Sequence, residues 1–99
     1  MDLASFPHAQ QCLLITIATS HSGLGARKRI GLSYSTLQHK GLEDFSDVSK
    51  EQAMSAFEEL KANGVVTHGA HNTITITNAA VKKLLDDILV EYQAEAAGQ

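Results

Sequence analysis

The sequence predicts an α+β domain, a small helical bundle carrying a β-hairpin, and three features of one continuous stretch predict it. Ser49 followed three residues later by Gln52 is a capping box, in which the hydroxyl accepts the Gln52 amide N–H and the Gln52 side chain reaches back. Ala53, Met54, Phe57 and Leu60 then recur at helical spacing, opposite Lys50, Glu51, Ser55, Glu58, Glu59 and Lys61. Asn63-Gly64 ends that helix, because glycine enters the left-handed conformation of a helix exit without a Cβ penalty. Beyond it, Val65-Val66 opens a strand and Gly69-Ala70-His71-Asn72 supplies turn chemistry. Thr73-Ile74-Thr75-Ile76-Thr77 alternates with period two, isoleucines inward and threonines outward. The reading is a helix over 49–63 and a hairpin over 65–77, with the rest of the chain as support.

The 99 residues suit a single domain, and 43% hydrophobic residues allow a compact core with little room for a buried catalytic cleft. Cys12 is the only cysteine, which excludes an internal disulfide and a cysteine-based zinc framework and fits a reducing compartment. Cys12 to Ala18 is too short for a membrane span, and its flank carries Asp2 where a secretory signal needs positive charge. The net charge of −3 argues against a strong non-specific nucleic-acid binder.

Taken in order, Pro7 suits the first position of a helix over about 7–20, with Ser5 as a nearby cap and Cys12, Leu13, Leu14, Ile17 and Ala18 as its core stripe. His21-Ser22-Gly23-Leu24-Gly25 breaks the pattern, and Ile30-Gly31-Leu32 supplies a short strand. Ser33 caps a short helix carrying Tyr34 and Leu37, ending near Gly41. Phe45 and Val48 anchor an acidic connector to the central helix, and after the hairpin Asn78 caps a final helix striped by Val81, Leu84, Leu85, Ile88, Leu89 and Tyr92. Residues 94–99 should fray. Helix, strand, helix, helix, strand, wing, strand, helix is the order of a winged helix, a helix-turn-helix variant with a three-helix core, a small antiparallel sheet and a C-terminal helix.

Candidate sites follow from that frame. Arg27-Lys28-Arg29 is the one dense basic cluster and either holds phosphates or forms a solvated loop. Lys50, Gln52 and Ser55 occupy the exposed start of the central helix, where base-reading groups sit, but Glu51, Glu58 and Glu59 share that helix and would repel phosphates. His68, His71 and Asn72 flank the wing tip as candidate groove contacts, with no Lys or Arg beside them and no third ligand for a metal. Asp86 and Asp87, adjacent on a helix, point about 100° apart and make no convergent carboxylate pair. His8 precedes Cys12 by four residues, yet Cys12 belongs to the apolar stripe and reads as core. No catalytic constellation, metal site or cofactor loop is found. The distal stripe Ile88, Leu89 and Tyr92 is a candidate protein interface, either to another subunit or to a second copy.

Three segments carry a resemblance. Pro7-His8-Ala9-Gln10-Gln11-Cys12-Leu13-Leu14-Ile15 is similar to the first helix of the C-terminal winged-helix domain of the replication-initiator ATPases, the origin recognition complex subunits and the related cell-division-cycle loading factor. Met54-Ser55-Ala56-Phe57-Glu58-Glu59-Leu60-Lys61-Ala62-Asn63-Gly64-Val65-Val66 resembles their central helix and its exit, most of all in the fourth origin recognition subunit. Val81-Lys82-Lys83-Leu84-Leu85-Asp86-Asp87 resembles the helix after the wing in the loading factor and first subunit. The likeness spans most of the chain and is a pattern of apolar spacing rather than an invariant motif. It implies a non-enzymatic domain excised from a larger initiator, contributing to origin DNA binding and to contacts with other subunits or the replicative helicase. The implied location is nuclear in a eukaryote and otherwise cytoplasmic. The spacing alone also fits a transcription regulator or a protein-docking module.

Overall fold

The computed structural model describes residues 3–22, 32–42, 45–69 and 72–97, without the side chains of 21, 22 and 92–97. Among these, a 3-10 turn (Leu3–Ser5) leads into α1 (His8–Ser22), β1 (Leu32–Ser33), α2 (Tyr34–Lys40), α3 (Lys50–Ala62), β2 (Val66–His68), β3 (Thr73–Ile76) and α4 (Ala79–Ala97). The fold is α+β, with four α-helices and a three-stranded antiparallel sheet of order β1-β3-β2 among the described residues. This layout is compatible with a winged helix. The register sets Leu32 opposite Ile74 on one side of β3, and Val66, Thr67 and His68 opposite Ile76, Thr75 and Ile74 on the other.

The caps form where the sequence places them. Ser49 Oγ accepts the Gln52 N–H at 3.1 Å and the Gln52 carbonyl oxygen accepts the Ser49 N–H at 2.9 Å, so two orphan donors of α3 are satisfied reciprocally. Ser33 caps α2 by accepting from the Thr36 N–H at 3.1 Å, and the Asn78 side chain accepts from the Val81 N–H at 3.1 Å to start α4. At the exit of α3, Val65 N–H bonds the Leu60 carbonyl at 2.9 Å and Gly64 N–H the Lys61 carbonyl at 3.1 Å, with Gly64 at φ +73°. That is the doubly bonded Schellman exit, completed by the burial of both Leu60 and Val65. Its tight turn sends the chain straight into β2, and Thr77 N–H closes the base of the hairpin on the Val65 carbonyl at 2.8 Å.

The core gathers Leu13, Leu14 and Ile17 of α1, Leu37 of α2, Ala53, Ala56, Phe57 and Leu60 of α3, Ile74 of β3, and Val81 and Leu85 of α4. Its hub is α1, which packs on α3, α4, β1 and β3. The helix is buried beyond its apolar stripe, because Gln10, Thr16 and Ser20 are buried as well. Each is satisfied: Thr16 donates to the Cys12 carbonyl at 2.8 Å, Ser20 to the Thr16 carbonyl at 2.8 Å, and the Gln10 amide to the Glu59 carboxylate. The organising element is therefore α1 rather than the stretch from Ser49 to Thr77.

Several boundaries differ from expectation. Pro7 precedes α1 instead of beginning it, giving its carbonyl to the Gln11 N–H at 3.0 Å, and Ser5 lies in the 3-10 turn. Helix α1 runs through His21 to Ser22, past the expected break. Helix α4 extends to Ala97, through Ala94, Glu95, Ala96 and Ala97, which are strong helix formers. Met54 is half-buried while Ala56 is buried, and Thr73 and Thr75 are half-buried rather than fully outward, because β3 is the central strand. Of the expected strand at 30–32, Leu32 pairs with Ile74, whereas Ile30 and Gly31 lie outside the described residues.

Candidate functional site

The exposed side of α3 carries Lys50, Glu51, Gln52, Ser55, Glu58, Glu59 and Lys61. Gln52 is committed through its carbonyl to the capping box, and Glu59 receives the Gln10 amide. Ser55, Glu58 and Lys50 reach solvent directly. The stem of Lys50 lies over Gly41, so that a Cβ at Gly41 would come within 3.0 Å of Lys50 Cγ and 3.4 Å of its Cα. This brings Lys50 to the corner where α2 ends in His39 and Lys40, both exposed. Three basic side chains thus surround the α2–α3 turn, with Glu51 and the exposed Asp47 beside them.

At the tip of the hairpin, His68 and Asn72 join one network with Tyr34 and Ser35 of α2. The His68 ring stacks on Tyr34, with centroids 4.6 Å apart and planes 19° from parallel, and Tyr34 meets Phe57 edge-on at 5.5 Å. His68 Nε2–H donates to Asn72 Oδ1 at 2.6 Å, and Asn72 Nδ2 donates to Ser35 Oγ at 2.7 Å. Asn72 adopts φ +64°, a conformation that asparagine tolerates better than most residues. Both residues thereby tie the hairpin to the first turn of α2. A signal for the side taken by the His68 ring alone was available: the period-two alternation that turns Val66 inward carries His68 to the same face of β2.

A second polar cluster joins α1 to the turn before α3. His8 Nε2 pairs with Asp47 Oδ2 at 2.6 Å, and Cys12 Sγ lies 3.5 Å from that same nitrogen and 4.0 Å from Nδ1. A histidine that relays protons between a thiol and a carboxylate offers one nitrogen to each, whereas here both partners meet Nε2. Burial first, and the Asp47 carboxylate second, push the Cys12 thiol above its usual range, which keeps it protonated and unreactive. Cys12 is a core residue, 2% exposed. Asp86 and Asp87 are both exposed, and Asp87 is paired with Lys83 at 3.5 Å.

Arg27, Lys28, Arg29 and His71 lie outside the described residues, as does the side chain of Tyr92. Ile88 and Leu89 are half-buried on α4, and Leu89 borders a groove between α4, α1 and β3. Among the described residues no three His, Cys, Asp or Glu side chains are grouped as a metal site, and no helix is long and apolar enough to cross a membrane.

No protein-family model, curated protein or solved structure matches this chain.

Proposed function

We propose that this chain is a winged-helix binding domain of the replication-initiator kind, whose α3 face and hairpin serve contact with a neighbouring protein subunit. The helix and strand order, the sheet order β1-β3-β2 and the Schellman exit from α3 into the hairpin support the winged-helix assignment. The segments similar to initiator subunits, at 7–15, 54–66 and 81–87, support the replication context. The observation that carries the docking role is the charge of α3. Its exposed face sets Glu51, Glu58 and Glu59 against Lys50 and Lys61, and carboxylates facing a phosphate backbone weaken binding to it.

A second reading, contact with duplex DNA, is favoured by the corner of His39, Lys40 and Lys50 and, in the sequence, by the basic run Arg27-Lys28-Arg29. Titration of the chain with duplex DNA at two salt concentrations separates the two. The docking reading expects no binding even at low salt. Binding whose logarithm falls linearly with that of salt, with a slope that neutralising Arg27, Lys28 and Arg29 reduces by about 0.9 per lost contact, would establish the DNA reading instead. Under the docking reading, Glu51→Gln with Glu58→Gln should raise DNA affinity above that of the native chain, since the carboxylates are what keep phosphates away.

A further inference from the structure

The groove between α4, α1 and β3 has a volume of about 410 Å³, with walls from Ile17 and Ala18 of α1, Ile76 of β3, and Leu85 and Leu89 of α4. Two exposed charges of opposite sign, Lys82 and Asp86, line it from the same helix one turn apart. With Ala79 and Leu89 they fall at positions i, i+3, i+7 and i+10, the spacing of a seam along which one helix packs against another. This seam is separate from the stripe of Val81 and Leu85, which is buried in the domain's own core.

We propose that the seam of Ala79, Lys82, Asp86 and Leu89 is a self-association surface on which a second copy of this chain docks with its α4 antiparallel. Symmetry favours a second copy over a foreign helix. A two-fold axis crossing α4 midway between Lys82 and Asp86 sets each lysine against the other copy's aspartate, so both ion pairs form at once. A foreign helix would have to present the opposite charges in the opposite order, whereas the same sequence run antiparallel presents them by construction. The same axis sets Leu89 against the other copy's Ala79, an exposed small residue that leaves room for the larger side chain and for close approach of the two backbones. Charges at seam positions fix register and orientation at some expense of stability, and the contact is small, so the dimer is a weak one that fills at millimolar rather than micromolar concentration. None of the α3 residues takes part, so the inference stands independently of the docking and DNA readings.

Sedimentation of the chain across that concentration range, with charge-reversed variants, tests it. The native chain should pass from monomer to twice the monomer mass as concentration rises. Lys82→Asp should weaken association about tenfold or more, because two attractive pairs become two repulsive ones. Lys82→Asp combined with Asp86→Lys should restore it, since both intermolecular pairs are remade in reverse. Lys82 lies in the first turn of α4, where an aspartate is well tolerated by the helix dipole, and an unchanged melting temperature will show that each variant is folded. A chain that stays monomeric throughout, or association indifferent to the single reversal, or a double variant no better than the single one, overturns the proposal.

Discussion

Gly64 and Gly41 share a left-handed backbone conformation, at φ +73° and +66°, but their surroundings differ. Open space surrounds a Cβ built on Gly64, whereas one on Gly41 would crowd Lys50 Cγ at 3.0 Å. Gly64→Ala should therefore destabilise the chain by about 1 kcal/mol, the penalty of the conformation alone, and Gly41→Ala by clearly more. Denaturant unfolding of the two variants side by side measures the difference, and equal losses would show that Lys50 moves aside freely. Ser49→Ala removes one half of the capping box and should lose about 1 kcal/mol, whereas Ser55→Ala, on the exposed face of the same helix, should lose almost nothing. Cys12 adds a dependence on pH. Its folded thiol binds its proton more tightly than the unfolded one, so above about pH 8.5 the unfolded chain releases protons that the folded chain retains. Stability contributed by the neutral thiol is thus complete below that pH and declines as pH rises toward the folded value; the slope should be shallower in Cys12→Ala, as measured by urea unfolding between pH 8 and 10.

Helix α3 and the hairpin were legible because each of their boundaries is written in local chemistry. Ser49 with Gln52, Gly64, and the alternation around Ile74 and Ile76 need no knowledge of the rest of the chain, and the backbone follows them. Phe57 is the residue that joins the two, at 1% exposure and edge-on to Tyr34. Phe57→Ala should cost about 3–5 kcal/mol in an unfolding titration, a large part of what holds a domain of this size together. The tether of Asn72 to Ser35 and His68 was not legible, since its partners are 37 residues and four residues away and hydroxyls and amides leave no periodic trace. Asn72→Ala should loosen the tip of the hairpin from α2 and, with an alanine at φ +64°, lose about 1 kcal/mol of overall stability. Hydrogen exchange checks this: the Gly69 N–H, bonded to the Thr73 carbonyl at 2.8 Å, should lose more protection than the α1 amides do.

Across the whole molecule, the role of α1 was the part that the sequence concealed. Gln10, Thr16 and Ser20 lie outside the apolar stripe of α1, yet they are buried, their hydrogen bonds satisfied within α1 or by Glu59. A helix surrounded by neighbours need not be apolar all round if its polar groups find partners. Helix α4 was half legible: Val81 and Leu85 are core, but which flank of the helix faces outward depends on how α4 lies against α1 and β3, and helical periodicity does not fix that placement. The burial of Cys12 on this central helix has a practical consequence. As the only thiol in the chain, held against the hub of the core, it is a built-in clock for opening of the fold. A thiol reagent should label the native chain only as fast as α1 is exposed, and the labelling rate, compared with that of the unfolded chain, reads the free energy of that opening without any added probe.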